Sequence, residues 1–349
     1  MGTIPATTSK SLTEELAAIR TSAAIYPLTS RAFLRITGPD ATRWLNGMVT
    51  NNIAALAPGE GNYNFLLNSQ GRIQGDCTIY REPGAPPATY LLETDASQIE
   101  TIHSHLDKFI IMDDVELTHG LNVEGNKTEN SPQGLALAGP GAAELVGKFF
   151  IDHYEIAHLK PLPSGTMTPA REGEFHSNVV ILTPVDASIP TYEIWCWNRS
   201  IIKDLYRKFE SSEANTISPQ ALEAFRILSA VPKFGVDITE KILPQETAQT
   251  HALHFSKGCY LGQEIVERIH SRGQVHRTFT QFTLTGEMPT LPAALESSGK
   301  PAGELTSAAL IDGTLYALGY ARRELLETHQ PLTYSGGVAT PSEPPKLTT

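Results

Sequence analysis

Cys259 lies between a lysine, a glycine and an aromatic residue in Ser256-Lys257-Gly258-Cys259-Tyr260-Leu261-Gly262-Gln263-Glu264. A thiol in such a place can serve as a nucleophile, a metal or cluster ligand, a redox group, or a small apolar filler. The residues after it choose among these only in part. Leu261, Ile265, Val266 and Ile269 fall on one face of a helical period, with Glu264 and Arg268 paired at i, i+4 on the other. The spacing predicts a helix that begins at or just after the thiol, where the positive end of the helix dipole and the nearby Lys257 both favour thiolate. His251, His254, His270 and His276 supply candidates for a cysteine-protease base or a metal cage in number only. Their spacing matches no familiar arrangement. Solvated or hydrogen-bonded surface histidines are the plainer reading, and no permanent metal site is expected.

A second chemical candidate is Glu193 in Thr191-Tyr192-Glu193-Ile194-Trp195-Cys196-Trp197. Strand alternation points Tyr192, Ile194 and Cys196 to one face, and Glu193, Trp195 and Trp197 to the other. A carboxylate flanked by indoles can accept two parallel N–H bonds from an aminopyrimidine edge, with aromatic rings covering a flat heteroaromatic. An exposed strand with amphipathic aromatics is the alternative. Arg226, in Ser218-Pro219-Gln220-Ala221-Leu222-Glu223-Ala224-Phe225-Arg226, sits on a predicted helix. It can bind a carboxylate tail or remain a solvated helix arginine.

The elements that must hold these groups are legible as a mixture. Short β-like runs (NYNFLLN, CTIYR, TYLLE, NVVIL, YEIWCW) alternate with helix-like runs (DATRWLNGMV, SQIETIHSHLDKFI, RSIIKDLYRKF, SPQALEAFRILSA), which favours an α+β or α/β class. Ile36-Thr37-Gly38-Pro39-Asp40-Ala41 is echoed by Leu137-Ala138-Gly139-Pro140-Gly141-Ala142. Each copy reads as a strand ending in Gly, then Pro in the first helical turn. Two related α/β units are expected, with a ligand held between them. Beyond residue 275 the texture becomes short β-prone stretches punctuated by Gly and Pro, the pattern of a small barrel. The expected division is a flexible N-terminus over 1–20, an α/β core over 21–245, a cysteine-motif connector over 246–274, a β-barrel over 275–334 and a disordered tail over 335–349.

Composition excludes several classes. The 349 residues carry 27 Lys plus Arg against 38 Asp plus Glu, a formal net charge of −11. That balance opposes attraction to phosphate backbones and anionic lipid, so neither direct nucleic-acid binding nor a membrane partner is expected. No apolar run approaches the ~18–20 residues of a membrane helix. The three cysteines, Cys77, Cys196 and Cys259, include no C-x-x-C pair. A reducing, cytoplasmic setting is expected.

Lys257-Gly258-Cys259-Tyr260-Leu261-Gly262-Gln263-Glu264, followed by Arg272-Gly273 and His276-Arg277, resembles the signature of the YgfZ-type folate-binding proteins. These are relatives of the glycine-cleavage T-protein (aminomethyltransferase) and include a mitochondrial iron–sulfur assembly factor. Further resemblance runs through ITGPDATRWLNGMVTNNI, LLNSQGRIQGD, LALAGPGAAELV and FRILSAVPKFGVDITEKILPQE, over roughly residues 22 to 325. The resemblance implies an α+β fold: a T-protein-like, folate-binding core of ferredoxin-like α/β units and a C-terminal β-barrel. It also implies that Glu193 recognises the pterin of tetrahydrofolate or a derivative, beside Trp195, and that Arg226 meets the cofactor's carboxylate end. The Arg226 segment departs from the family pattern, since Ile227-Leu228-Ser229-Ala230 lacks the usual acid and glycine. Asp76 is one acid after the hairpin glycines where the transferases carry consecutive acids, so aminomethyl transfer is not expected.

Cys259 and Lys257 are then the candidates for redox, sulfur or transient iron–sulfur cluster chemistry. The reading these features imply is a folate-binding accessory factor that assembles or repairs iron–sulfur clusters in client enzymes, extending to radical enzymes that modify transfer RNA. Its partners would be a reduced folate and iron–sulfur client or assembly proteins. The alternative is a folate-dependent aminomethyl transferase or demethylase.

Overall fold

The structure, a computed structural model, describes residues 10–84, 86–120, 133–150, 167–172, 175–184, 188–196, 199–273 and 275–344. The described residues divide into two compact units, the first formed by those within 10–64 and 77–219 and the second by those within 65–76 and 220–344.

The first unit opens with α1 (Leu12–Thr21), within the segment expected to be flexible. Ser11 and Glu14 form a reciprocal capping box, and Leu16 and Ile19 give the helix a buried face. Glu15 is buried with them and accepts hydrogen bonds from the Ser218 N–H and hydroxyl. Cap and apolar stripe together order a segment whose composition is otherwise polar.

The succeeding elements are β1 (Ala24–Leu28), β2 (Arg31–Thr37), α2 (Ala41–Met48), β3 (Gly61–Leu67), β4 (Ile73–Arg81), β5 (Tyr90–Asp95), α3 (Ile99–Asp107), β6 (Glu116–His119) and β7 (Gln133–Ala138). After them come α4 (Ala142–Phe150), β8 (Met167–Glu172), β9 (Phe175–Leu182), β10 (Thr191–Cys196), α5 (Arg199–Ser211) and β11 (Asn215–Thr216). They build a five-stranded sheet, β3-β4-β5-β2-β6, and a six-stranded sheet, β11-β1-β7-β10-β9-β8.

The internal echo is structural. β2 and β7 are both followed directly by a glycine of positive φ, Gly38 at 116° and Gly139 at 108°, and α2 and α4 both begin two residues beyond the proline. Each turn closes with the same bond, from Ala41 N–H to the Gly38 carbonyl and from Ala142 N–H to the Gly139 carbonyl. A Cβ at Gly38 would lie 2.1 Å from the Asp114 carbonyl oxygen, and one at Gly139 would lie 2.5 Å from that of Ser22, so both positions require glycine. The prolines precede the helices instead of occupying their first turns, because Asp40 and Gly141 intervene.

The second unit contains α6 (Pro219–Leu228), α7 (Gln263–Arg272), β12 (Arg277–Gly286), β13 (Ala293–Ser297), β14 (Lys300–Ile311), β15 (Thr314–Arg322), α8 (Arg323–Glu327), β16 (Leu332–Tyr334) and β17 (Gly337–Ser342). The six strands close into a barrel in the order β12-β15-β14-β13-β16-β17, filled by Phe282, Leu284, Leu295, Leu305, Leu332 and Ala339 among others. Two expected boundaries change. β17 lies inside the expected tail and pairs with both β12 and β16, completing the closure. Residues 220–245, assigned from the sequence to the core, belong with the barrel. Arg226 explains the latter, since it ties α6 to β14.

Candidate functional site

Within the first unit, β2, β4 and β5 meet β9 and β10 through Phe33, Tyr80, Leu91, Val180, Leu182 and Trp195, and Glu193 lies on the same face of β10 as Trp195. On β10 the alternation is as expected. Tyr192, Ile194 and Cys196 are buried under α4 and α5, while Trp195 faces Phe33, Tyr80, Leu91 and Leu182. Tyr26 of β1 and Glu193 of β10 both pair with Ala136 of β7, so they occupy one row of the same sheet face.

Trp195 is 1% exposed, with its ring edge-on to Phe33 at 4.7 Å. Gly134 makes room for it: a Cβ there would lie 2.5 Å from the indole. The expected ligand-stacking role of Trp195 is therefore corrected, since this ring is enclosed core. Its Nε1 donates to Glu193 Oε2 at 3.2 Å, so it positions the carboxyl instead of covering a ligand. Trp197 lies outside the described residues.

Glu193 is 8% exposed, and its surroundings are acidic. Glu93 of β5, itself 3% exposed, opposes it, and Arg31 of β2 binds Glu93 with Nε to Oε1 at 2.7 Å. Burial, with the neighbouring Glu93 charge adding to it, pushes the Glu193 carboxyl up to about 8, against a weaker downward pull from Arg31 and the indole N–H. The hydroxyls of Tyr26 and Tyr80 are raised above the ordinary phenol range, first by burial and further by the nearby glutamates. Glu93 and Arg31 were not singled out in the sequence. The available signal was charge on a strand face shared with an aromatic: Arg31, Phe33 and Arg35 alternate on β2, and Glu93 interrupts an apolar β5.

Cys259 is exposed, whereas Cys77 and Cys196 are buried. It precedes α7 by a short turn, with Gly262 as the N-cap residue, so the thiol stands outside the first helical turn and any influence of the dipole is reduced. Lys257 is 9% exposed, and burial depresses its ammonium to about 7. It lies over the Tyr260 ring at 5.1 Å. At neutral pH it bears only part of an ordinary lysine's charge. It gains instead the ability to exchange a proton near pH 7.

What holds this loop is a contact between glycines. The turn at Asn68–Arg72 is organised by Asn68, whose side-chain oxygen accepts from the N–H groups of Gln70 and Arg72. Gly71 and Gly262 both have positive φ, and a Cβ on Gly262 would lie 2.6 Å from the Asn68 carbonyl oxygen and 3.2 Å from Gly71 Cα. The hairpin noted in the sequence thus packs directly against the start of α7. Asp76 is half-buried in β4, beyond this hairpin.

Arg226 is occupied by the protein itself. Its Nε and Nη2 donate to Glu223, Nη1 donates to Asp237 at 2.6 Å and to the Val231 carbonyl oxygen, and Nη2 donates to Ser307 at 2.8 Å. Asp237 Oδ1 also accepts from Thr306 and Ser307. A ligand carboxylate at Arg226 would have to displace one of these bonds. The geometry supports a fastening role, where removing one partner of a buried ion pair costs about 3–5 kcal/mol.

Among the described residues, no helix is long and apolar enough to cross a membrane. Residues 5–257 match the family model described as GCVT N-terminal domain. The chain is 25% identical over 294 residues to the mitochondrial iron–sulfur cluster assembly factor IBA57 homolog of Neurospora crassa, covering 80% of this chain and 60% of that protein's length. It is 24% identical over 302 residues to the aminomethyltransferase of Bacillus velezensis, covering 85% and 77%. The crystal structure of glycine cleavage system aminomethyltransferase T from Bartonella henselae superimposes with a TM-score of 0.79 over 97% of this chain and 89% of that one, at 18% identity, a likeness of fold. With more than half of its length matched by the family model, this chain belongs to the GCVT N-terminal domain family.

Proposed function

We propose that the protein is a folate-binding factor in the assembly or repair of iron–sulfur clusters, of the YgfZ-type branch, with the cluster or its components as cargo. The observation that carries this reading is the exposed Cys259 on a glycine-braced turn, the other two cysteines being buried. A solvent-facing thiol held on a fixed turn is suited to transient ligation of iron or to exchange with a client's sulfur. Lys257, titrating near neutrality, would supply or accept the accompanying proton. Similarity to a relative named as an iron–sulfur cluster assembly factor supports the same reading.

For the folate, Glu193 supplies a carboxyl whose ionised form can accept two N–H bonds from an aminopyrimidine edge. Tetrahydrofolate, when bound, would present that edge and stabilise the fold around it. Arg226 and Asp76 contribute only if the ligand reaches them. Three free cysteines suit a reducing compartment, cytoplasmic or, as for the Neurospora relative, mitochondrial.

Aminomethyl transfer is the second reading, favoured by similarity to the aminomethyltransferases over 85% of the chain. The deciding experiment removes the gene and measures a panel of iron–sulfur enzymes, radical tRNA-modifying enzymes included, beside glycine-cleavage flux. Loss of the iron–sulfur activities with flux intact is expected. Intact iron–sulfur activities with lost flux would select the transferase.

A further inference from the structure

We propose that the Arg31–Glu93 ion pair is a positioning device that keeps a proton on Glu193 in the ligand-free protein, a proton that a ligand with two adjacent N–H donors must expel. The inference rests on the reading of Glu193 as the ligand-binding carboxyl and deepens it.

The geometry is that of two carboxyl groups enclosed between sheets. Glu93 is paired with Arg31 by the 2.7 Å contact from Arg31 Nε, and its side chain is 4% exposed. Glu193 is held from its own strand by the Trp195 indole N–H at 3.2 Å, and it faces Glu93 across the interface, where charge repulsion and side-chain hydrogen bonding both favour its acid form. Two like charges so buried repel each other, and because Arg31 lies against Glu93, Glu193 is the carboxyl whose acid form is favoured. Among the described residues, the other titratable groups facing the pair are Tyr26 from β1 and Tyr80 from β4, both held neutral. Ala136 of β7 and Leu182 of β9 add no charge to the row.

A protonated carboxyl offers one acceptor and one donor, whereas an aminopyrimidine edge offers two donors. Binding therefore transfers the Glu193 proton to solvent and forms two N–H···O bonds to the resulting carboxylate. With Glu193 titrating at about 8, apparent affinity at pH 7 is lowered about tenfold relative to the ionised protein and rises as pH approaches 8–9.

Titration calorimetry of the intact chain with tetrahydrofolate, in buffers of different ionisation enthalpy between pH 6 and 9, counts the released protons. Wild type should release close to one proton at pH 6–7 and about none at pH 9. Glu93→Gln, which removes the opposing charge, should tighten binding by up to about tenfold at pH 7 and flatten the profile, an outcome that loss of structure does not produce. Infrared spectra of ligand-free protein give a second readout. The protonated-carboxyl band absent from Glu193→Gln should have its titration midpoint moved to lower pH in Glu93→Gln. Binding with no proton release, or an unmoved midpoint, overturns this proposal and leaves the ligand reading standing. No binding at any pH overturns the ligand reading and the proton displacement with it.

Discussion

Glu193 carries a cost that its surroundings impose. Its carboxyl titrates at about 8 in the folded chain and near the ordinary carboxylate value of 4.5 in the unfolded one. Between those limits the native state holds the extra proton, so the contribution of this group to stability is present below about 4.5 and is lost as pH rises through 8. Glu193→Gln keeps the shape, retains an oxygen to accept from the Trp195 indole, and removes the titration. The substituted protein should match wild type in thermal unfolding near pH 4.5 and become progressively more stable than wild type toward pH 8. A difference between the two that stays constant across this range would show that Glu193 is ionised throughout. Ligand binding should move the other way, because the amide cannot accept both N–H bonds. Greater stability with weaker binding is the signature of a strained functional group.

At the scale of elements, the cysteine turn depends on the junction between the Asn68–Arg72 hairpin and α7. Gly262→Ala should destabilise the protein by about 2 kcal/mol or more, from the φ of 82° and the 2.6 Å approach of a Cβ to the Asn68 carbonyl oxygen. Gly258→Ala, one residue before the thiol, meets nothing within 4 Å and should change stability by less than about 0.5 kcal/mol. Thermal unfolding of the two variants beside wild type checks the contrast, and equal melting temperatures would mean the hairpin does not brace the turn. The sequence disclosed each partner of this junction but not their meeting. Periodicity reveals what one element does: the alternation along β10, the apolar stripe of α7 and the repeated strand-Gly-Pro-helix turn were all legible. A contact between elements distant in sequence leaves no such period. For the same reason Arg31 and Glu93 were missed as a pair. β17, Gly-Val-Ala-Thr-Pro-Ser, has poor strand propensity and exists because β12 and β16 need a partner to close the barrel.

For the molecule as a whole, the two candidate groups lie in separate compact units, the buried Glu193 carboxyl in one and the exposed Cys259 thiol in the other. The acidic pair is buried in the first unit, where substitution changes ligand affinity and pH-dependent stability. Cys259 is exposed in the second, where substitution disturbs little packing. Cys259→Ser should therefore leave tetrahydrofolate affinity and melting temperature close to wild type, since the hydroxyl is close in size and the site faces solvent. Function should nevertheless fall if the thiol ligates iron or exchanges sulfur, because a serine hydroxyl does neither at neutral pH. The measurement is rescue of iron–sulfur enzyme activities in a strain lacking the gene, with and without oxidative stress, which increases cluster loss. Weak rescue by Cys259→Ser, with tetrahydrofolate binding and melting temperature both preserved, assigns the cluster chemistry to the thiol. Full rescue would reduce Cys259 to a surface residue, leaving the carboxyl site as the functional centre and bringing one-carbon transfer to the front.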